Sequence, residues 1–316
     1  MKSPEIRRVA VIATGVIGAG WVTAFLARGL EVVACVPAPG AEQKLRDYVA
    51  AQWPSMVTIG LAAGASPDKL RFTTSIEDAV TDAQFVQENG PEQLDFKREL
   101  FRRIDAAAPP QAILASSSST LMASAFQDAC EHNPERVVLG HPFNPPHLIP
   151  LVEVAGGTRT SPEAIERTLT FYRQVGKHPI HLKKEVPGHV ANRLQAALWQ
   201  EALHLVQSGV ASVEDVDAAI SHGPGLRWAL LGPFLNLHLS GGEGGIAALF
   251  SKPLWQAVEV LWKDLGQVSV GPQLAAEVAA GIEQVLAARP AEPLLRQRDE
   301  LLLTLLQNKS KAHALP

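Results

Sequence analysis

Near the start of the chain, Arg8–Ile12 (RVAVI) forms an apolar run that stops at Ala13-Thr14-Gly15-Val16-Ile17-Gly18, and a helical pattern follows from Val16 to Arg28. A buried strand, a glycine-bearing turn and a helix, in that order, bring backbone N–H groups and a positive helix end close to a pyrophosphate. Alanine occupies the first glycine position, while Gly15 and Gly18 keep the positions for phosphate approach and helix packing. Ala13, Gly15, Val16, Ile17 and Gly18 are therefore the expected dinucleotide-binding turn. An acid is expected roughly 20 residues further on, where it would hydrogen-bond ribose hydroxyls. Val36, in EVVACVPAP, stands there instead. Losing a charged acceptor weakens NAD binding by about 1.5–3 kcal/mol. NADP is then less repelled, although no arginine follows Val36 to hold a 2′-phosphate.

Strand and helix patterns continue to alternate. Glu31–Val36, Phe85–Glu88, Ala112–Ser116, Val137–Gly140, Leu151–Val154 and Pro179–Lys183 read as strands. Ala41–Ala51, Leu94–Ala107 and Pro162–Val175 read as helices, the last opened by a Ser-Pro cap signal. Strands that are apolar on both faces belong in a parallel sheet covered by helices on each side. The expected fold class is α/β, with a Rossmann-type doubly wound sheet over residues 1–186. After Pro187-Gly188 the texture changes: His189–Ser208 reads as one long amphipathic helix, and helical patterns dominate to Gln307. An all-α domain over residues 187–316 is expected.

Composition excludes several classes. Hydrophobic residues make up 47% and charged residues 19%, enough apolar material for a core and too much for disorder. Lys and Arg total 28 against 32 Asp and Glu, with no basic run, so nucleic acid is not an expected partner. No apolar stretch is long enough to span a membrane. Cys35 and Cys130 are too few for a disulfide framework or a thiolate metal site, and the histidines lack metal-ligand spacing. A cytoplasmic protein without metal is expected.

The segments ASSSST (115–120), HPFNPP (141–146), LVEV (151–154) and PGHVANRL (187–194) together resemble the 3-hydroxyacyl-CoA dehydrogenase superfamily, along nearly the whole chain. Position by position, the resemblance implies a catalytic set of Ser119, His141, Glu153 and Asn192, with Asn144 matching the asparagine of the histidine motif. It also places Glu88, Glu92 and Lys97 beside the nicotinamide half of NAD, and it implies a homodimer. Which of Ser116–Ser119 serves rests on the resemblance alone.

The chemistry is consistent with that set. Moving a hydride from a secondary alcohol requires the hydroxyl proton to leave, and histidine is the obvious base. A carboxylate such as Glu153 fixes the imidazole tautomer and stabilises its charged form. Within the superfamily, the stretch 223–245 resembles the carnitine dehydrogenase and L-gulonate 3-dehydrogenase (lambda-crystallin) branches. ALWQEALHLV (197–206) leans to the former and HPFNPPHLIPLVE to the latter. Between Pro39 and Thr73 only Lys44, Arg46, Lys69 and Arg71 are basic, a sparse set for a CoA phosphate. A small 3-hydroxy acid is the expected substrate, first a trimethylammonium one, with L-gulonate the alternative. Trp199 and Phe143 could offer aromatic faces to a quaternary ammonium, and Arg227 could pair with a carboxylate. A non-catalytic protein on the same scaffold is the rival, motivated by Ala13, Val36 and Asn89-Gly90.

Overall fold

The computed structural model describes residues 6–251 and 253–315, and the chain separates into two compact units, one ending at Arg193 and the other beginning at Leu194. That division falls later than the boundary at 186 expected from the change in texture. The first unit carries β1 (Arg8–Ile12), β2 (Glu31–Cys35), β3 (Leu70–Thr73), β4 (Phe85–Glu88), β5 (Ile113–Ser116), β6 (Val137–Pro142), β7 (Leu151–Gly156) and β8 (His178–His181). They form one sheet in the order β3-β2-β1-β4-β5-β6-β7-β8. The order reverses between β1 and β4, which opens a crevice at the carboxyl ends of those strands.

Helices α1 (Val16–Ala27), α2 (Ala41–Ile59), α3 (Ile76–Val80), α4 (Leu94–Ala107), α5 (Ala123–Gln127) and α6 (Pro162–Gln174) cover both faces. Alternation along β1 sorts its side chains. Val9 and Val11 join Trp21, Phe25, Leu45, Val49, Phe171 and Tyr172 in one core, which packs α1, α2 and α6. Ala10 and Ile12 join Val80, Leu100, Phe101, Ile104 and Phe126 in the other, which packs α3, α4 and α5. The strands read as apolar throughout because neither face meets water. Aromatic rings tie the first core together, with Trp21 stacked on Phe25 at 5.0 Å and Phe85 against Phe171 at 4.2 Å.

Strands β1 to β6 are parallel, but β7 pairs with β6 antiparallel. Residues 143–150 are too short a connection for a helical crossover, so the chain must turn straight back. This departure from a purely parallel sheet matters for the site.

The second unit takes up most of α7 (Ala191–Gln207), followed by α8 (Val213–Ser221), α9 (Pro224–Trp228), α10 (Pro233–Ser240), α11 (Gly245–Phe250), α12 (Pro253–Asp264), α13 (Pro272–Ala288) and α14 (Ala291–Lys311). Its described residues contain no strand. Ser212 caps α8 by accepting from Asp215 N–H at 3.1 Å, and proline opens α9, α10 and α13. No helix among the described residues is long and apolar enough to cross a membrane.

Candidate active site

Four consecutive serines, beginning at the last residue of β5, have four different partners. Ser116 Oγ donates to Glu88 Oε2 at 2.6 Å. Ser117 Oγ donates to Asn89 Oδ1 at 2.7 Å and accepts from Gln87 Nε2 and Trp21 Nε1. Ser118 Oγ lies 2.8 Å from Glu92 Oε2 and accepts from Leu121 N–H. Ser119 Oγ is the hydroxyl that reaches His141, 3.2 Å from Nε2. Among the four, the hydroxyl that faces the imidazole is that of Ser119.

His141 belongs to β6, which runs two residues beyond the strand expected at 137–140. In the antiparallel pair it stands directly opposite Glu153 on β7. Opposed residues on such a ladder project to the same face with Cβ atoms roughly 5 Å apart. The spacing of 12 residues between them is the register of one strand pair. His141 Nδ1 and Glu153 Oε2 are 3.0 Å apart, both side chains buried. The other carboxylate oxygen, Oε1, accepts from Val190 and Ala191 N–H, each at 2.9 Å, at the start of α7. Burial pushes the Glu153 carboxyl up, but the hydrogen bonds from His141, Ala191 and Val190 outweigh it and hold the group below the usual carboxylate range. An ionised carboxylate can only accept, so Nδ1 carries the proton and the Nε2 lone pair faces the Ser119 hydroxyl.

Phe143 stands edge-on to His141 with ring centres 5.1 Å apart. Its neighbour Asn144 is exposed, and its side chain makes no hydrogen bond among the described residues. The loop that holds both is pinned from below by Lys177, whose amine donates to the Pro146 and Ile149 carbonyls. Burial, reinforced by Arg28, pushes that amine down to about 7. Nothing in the sequence around Lys177 marks it for this.

At the start of α7 the structure departs from the sequence reading. The helix begins at Ala191, and His189 lies before it in a left-handed turn with Gly188, at φ 54° and 74°. His189 is buried and places Nε2 3.0 Å from the Ser118 carbonyl. Its ring centre is 5.1 Å from that of His141. Asn192 sits in the first turn of α7, half-buried, and its side chain makes no hydrogen bond among the described residues. The PGHVANRL segment therefore touches the pair through His189, Val190 and Ala191. The Pro187-Gly188 pair, a break just before the expected helix, was the one available signal.

Glu92 and Lys97, expected beside the nicotinamide, are engaged within the protein. Lys97 and Glu88 form a fully buried pair with Nζ 2.9 Å from Oε1. Glu92 accepts from Ser118 Oγ, Ser119 N–H and Thr120 N–H, so it shapes the turn that carries Ser119. Trp199 and Arg227 lie in the second unit, both exposed, and Arg227 has no ion pair among the described residues.

The turn after β1 fits a dinucleotide at its pyrophosphate. A Cβ built on Gly15 would meet nothing within 4 Å, so there is open space at the start of α1, whose first turn has no acidic side chain. A Cβ on Gly18 would strike the Ala13 carbonyl, which shows how closely helix and strand approach. Ala13 itself holds φ 64°, a left-handed conformation that glycine adopts freely and alanine does not. The ribose end fits less well, because Val36 follows β2 and has no group to accept a hydrogen bond.

Comparison with known proteins agrees with this geometry. Residues 8–186 match the family described as 3-hydroxyacyl-CoA dehydrogenase, NAD binding domain, and residues 188–271 match its C-terminal domain. The chain is 48% identical to an L-carnitine dehydrogenase of Streptomyces coelicolor over 308 residues, covering 97% of this chain and 96% of that one. An L-carnitine dehydrogenase of Pseudomonas putida is also 48% identical, over 96% of this chain and 94% of its own length. Among solved structures, 5-formyl-3-hydroxy-2-methylpyridine 4-carboxylic acid 5-dehydrogenase, described as an NAD+ dependent dismutase, is 31% identical with a TM-score of 0.82. That likeness covers 97% of this chain and 99% of the other. The chain belongs to the 3-hydroxyacyl-CoA dehydrogenase family and is an NAD-dependent dehydrogenase.

Proposed function

We propose that this chain oxidises L-carnitine to 3-dehydrocarnitine with NAD, and that His141 is the base. The observation that carries the reading is the unbroken chain from Ser119 Oγ through His141 to Glu153 Oε2, at 3.2 and 3.0 Å. The names of the 48% identical relatives support the substrate. When bound, NAD supplies the hydride acceptor.

His141 Nε2 takes the hydroxyl proton as the carbonyl forms, because its lone pair faces the space beside Ser119. Ser119 Oγ–H donates to the developing oxyanion once the substrate displaces it from Nε2. Glu153 keeps Nδ1 protonated and balances the positive charge that His141 acquires, and the α7 N–H groups keep Glu153 ionised. Phe143 shields one side of the imidazole from water. Asn192 and Asn144 are retained as polar groups for the substrate, and Trp199 and Arg227 suit a trimethylammonium group and a carboxylate by their chemistry.

Purified protein is expected to reduce NAD with L-carnitine and not with L-gulonate, 3-hydroxybutyrate or 3-hydroxybutyryl-CoA. Preference for any of the last three would replace the substrate assignment.

The second unit supports a homodimer. Among its described residues only Val206, Leu249 and Leu274 are buried hydrophobics, while Phe234 is 75% and Leu301 71% exposed. A helical unit with so little core of its own needs a second apolar surface, and a second copy of the chain supplies one. Sedimentation at the monomer mass would refute it. Free, buried Cys35 and Cys130 are consistent with a reducing, cytoplasmic setting.

A further inference from the structure

The mechanism above gives no task to the buried histidine nearest its base. His189 is 1% exposed and sits beside the reacting imidazole, on a backbone conformation that side chains other than glycine avoid. We propose that His189 is a positioning residue, donating Nε2–H to the Ser118 carbonyl and so holding the Ser119 hydroxyl at His141 Nε2. This rests on the reading of His141 as base.

A carbonyl oxygen can only accept, so the 3.0 Å contact requires a proton on Nε2 of His189. The partner carbonyl belongs to the residue immediately before Ser119, so its position sets where the Ser119 side chain starts. Glu92 fixes the same turn from the other side, through the Ser118 hydroxyl and the Ser119 and Thr120 N–H groups. The turn that carries Ser119 is thus held at two points.

The left-handed turn explains why the residue is placed there. Gly188 and His189 swing the chain so that the next two N–H groups, of Val190 and Ala191, meet Glu153 Oε1 while the His189 ring meets Ser118. One short segment thus acts on both nitrogens of His141, through Glu153 at Nδ1 and through the Ser118–Ser119 turn at Nε2. A ring that only filled space there would need no donor.

Nε2 donates to that carbonyl in the neutral Nε2–H form and in the charged ring alike. The ionisable groups facing it are His141 on β6, Glu153 on β7 and Glu92 before α4. Burial and the neighbouring His141 hold His189 below the usual histidine range, against the opposite pull of Ser118, Glu153 and Glu92.

The test uses the full chain with NAD and L-carnitine. His189→Phe keeps a ring but removes the donor, and kcat is expected to fall about 10- to 100-fold, with KM changed less than about threefold. His189→Gln can reach the same carbonyl with its amide, and restores kcat to within about fivefold of wild type. Equal loss in both variants, or no loss in His189→Phe, overturns the proposal. A second readout does not depend on turnover or on the Phe variant folding. ¹⁵N-histidine spectra of the wild-type protein at pH 8 should show the His189 proton on Nε2. A neutral Nδ1–H form, with Nε2 bare, overturns it. If the wild type fails to oxidise carnitine, the earlier substrate reading fails, and the spectra still decide the role of His189.

Discussion

His141 and Glu153 are register partners across β6 and β7, so a backbone ladder sets the distance between the imidazole and the carboxylate. The backbone position of neither residue is set by a loop. The cost of that arrangement lies at the far oxygen of Glu153, which among the described residues accepts only from Val190 and Ala191 N–H, where α7 begins.

Removing either partner should therefore stop turnover by different routes. His141→Ala is expected to lower kcat by about 10²–10⁴-fold through loss of the base. Glu153→Gln keeps the shape and removes the charge that holds Nδ1–H, and a fall of similar size is expected. Steady-state rates of NAD reduction check both. Wild-type turnover in His141→Ala would discard the base assignment.

Val36→Asp restores an acceptor for ribose hydroxyls at the end of β2. NAD should bind about 10- to 100-fold more tightly, corresponding to roughly 1.5–3 kcal/mol for hydrogen bonds to a charged group. NADP should bind more weakly because its phosphate meets a carboxylate. Calorimetric titration of both nucleotides measures this, and unchanged NAD affinity would show that Val36 does not lie at the ribose.

Ala13→Gly relieves the left-handed alanine at φ 64°. A gain of about 1 kcal/mol is expected, a rise in Tm of about 2–4 °C. A thermal melt that is unchanged or lower would mean that the surrounding turn already relaxes the alanine.

Lys177 makes stability depend on pH. Its amine titrates near 7 in the folded chain, against 10.5 for an ordinary lysine. As pH falls from 10.5 the unfolded chain takes up the proton first, so the folded state loses stability down to about pH 7 and no further from this group. Urea unfolding of Lys177→Met and wild type should show the variant gaining relative to wild type as pH falls from 9.5 to 7.5. A difference that is the same at both pH values would mean that the amine is not held neutral.

Much of the first unit was legible because its elements carry unambiguous patterns. β1, β4 and α4 begin and end where their apolar runs do. β3 was not seen, since Leu70–Thr73 is a four-residue edge strand containing Arg71 and only half covered. α3 and α5 are five residues each, too short for helical periodicity to register. The Ser119, His141 and Glu153 positions were implied by the family resemblance, but the strand pairing that explains the spacing of the last two was not. β6 looked complete at Gly140, and a proline at 142 argues locally against a strand. His189 and Lys177 were missed for a different reason. Their partners are backbone carbonyls of residues distant in sequence, and side chain-to-backbone contacts of that kind leave no pattern along the chain.

The run Ser116–Ser119 has a further consequence. Because each hydroxyl has its own partner, identity of composition conceals a strict phase. Deleting one serine would leave a stretch that reads almost unchanged, yet every remaining hydroxyl would be handed its neighbour's duty. Such a segment tolerates exchange of a single letter far better than any change of length.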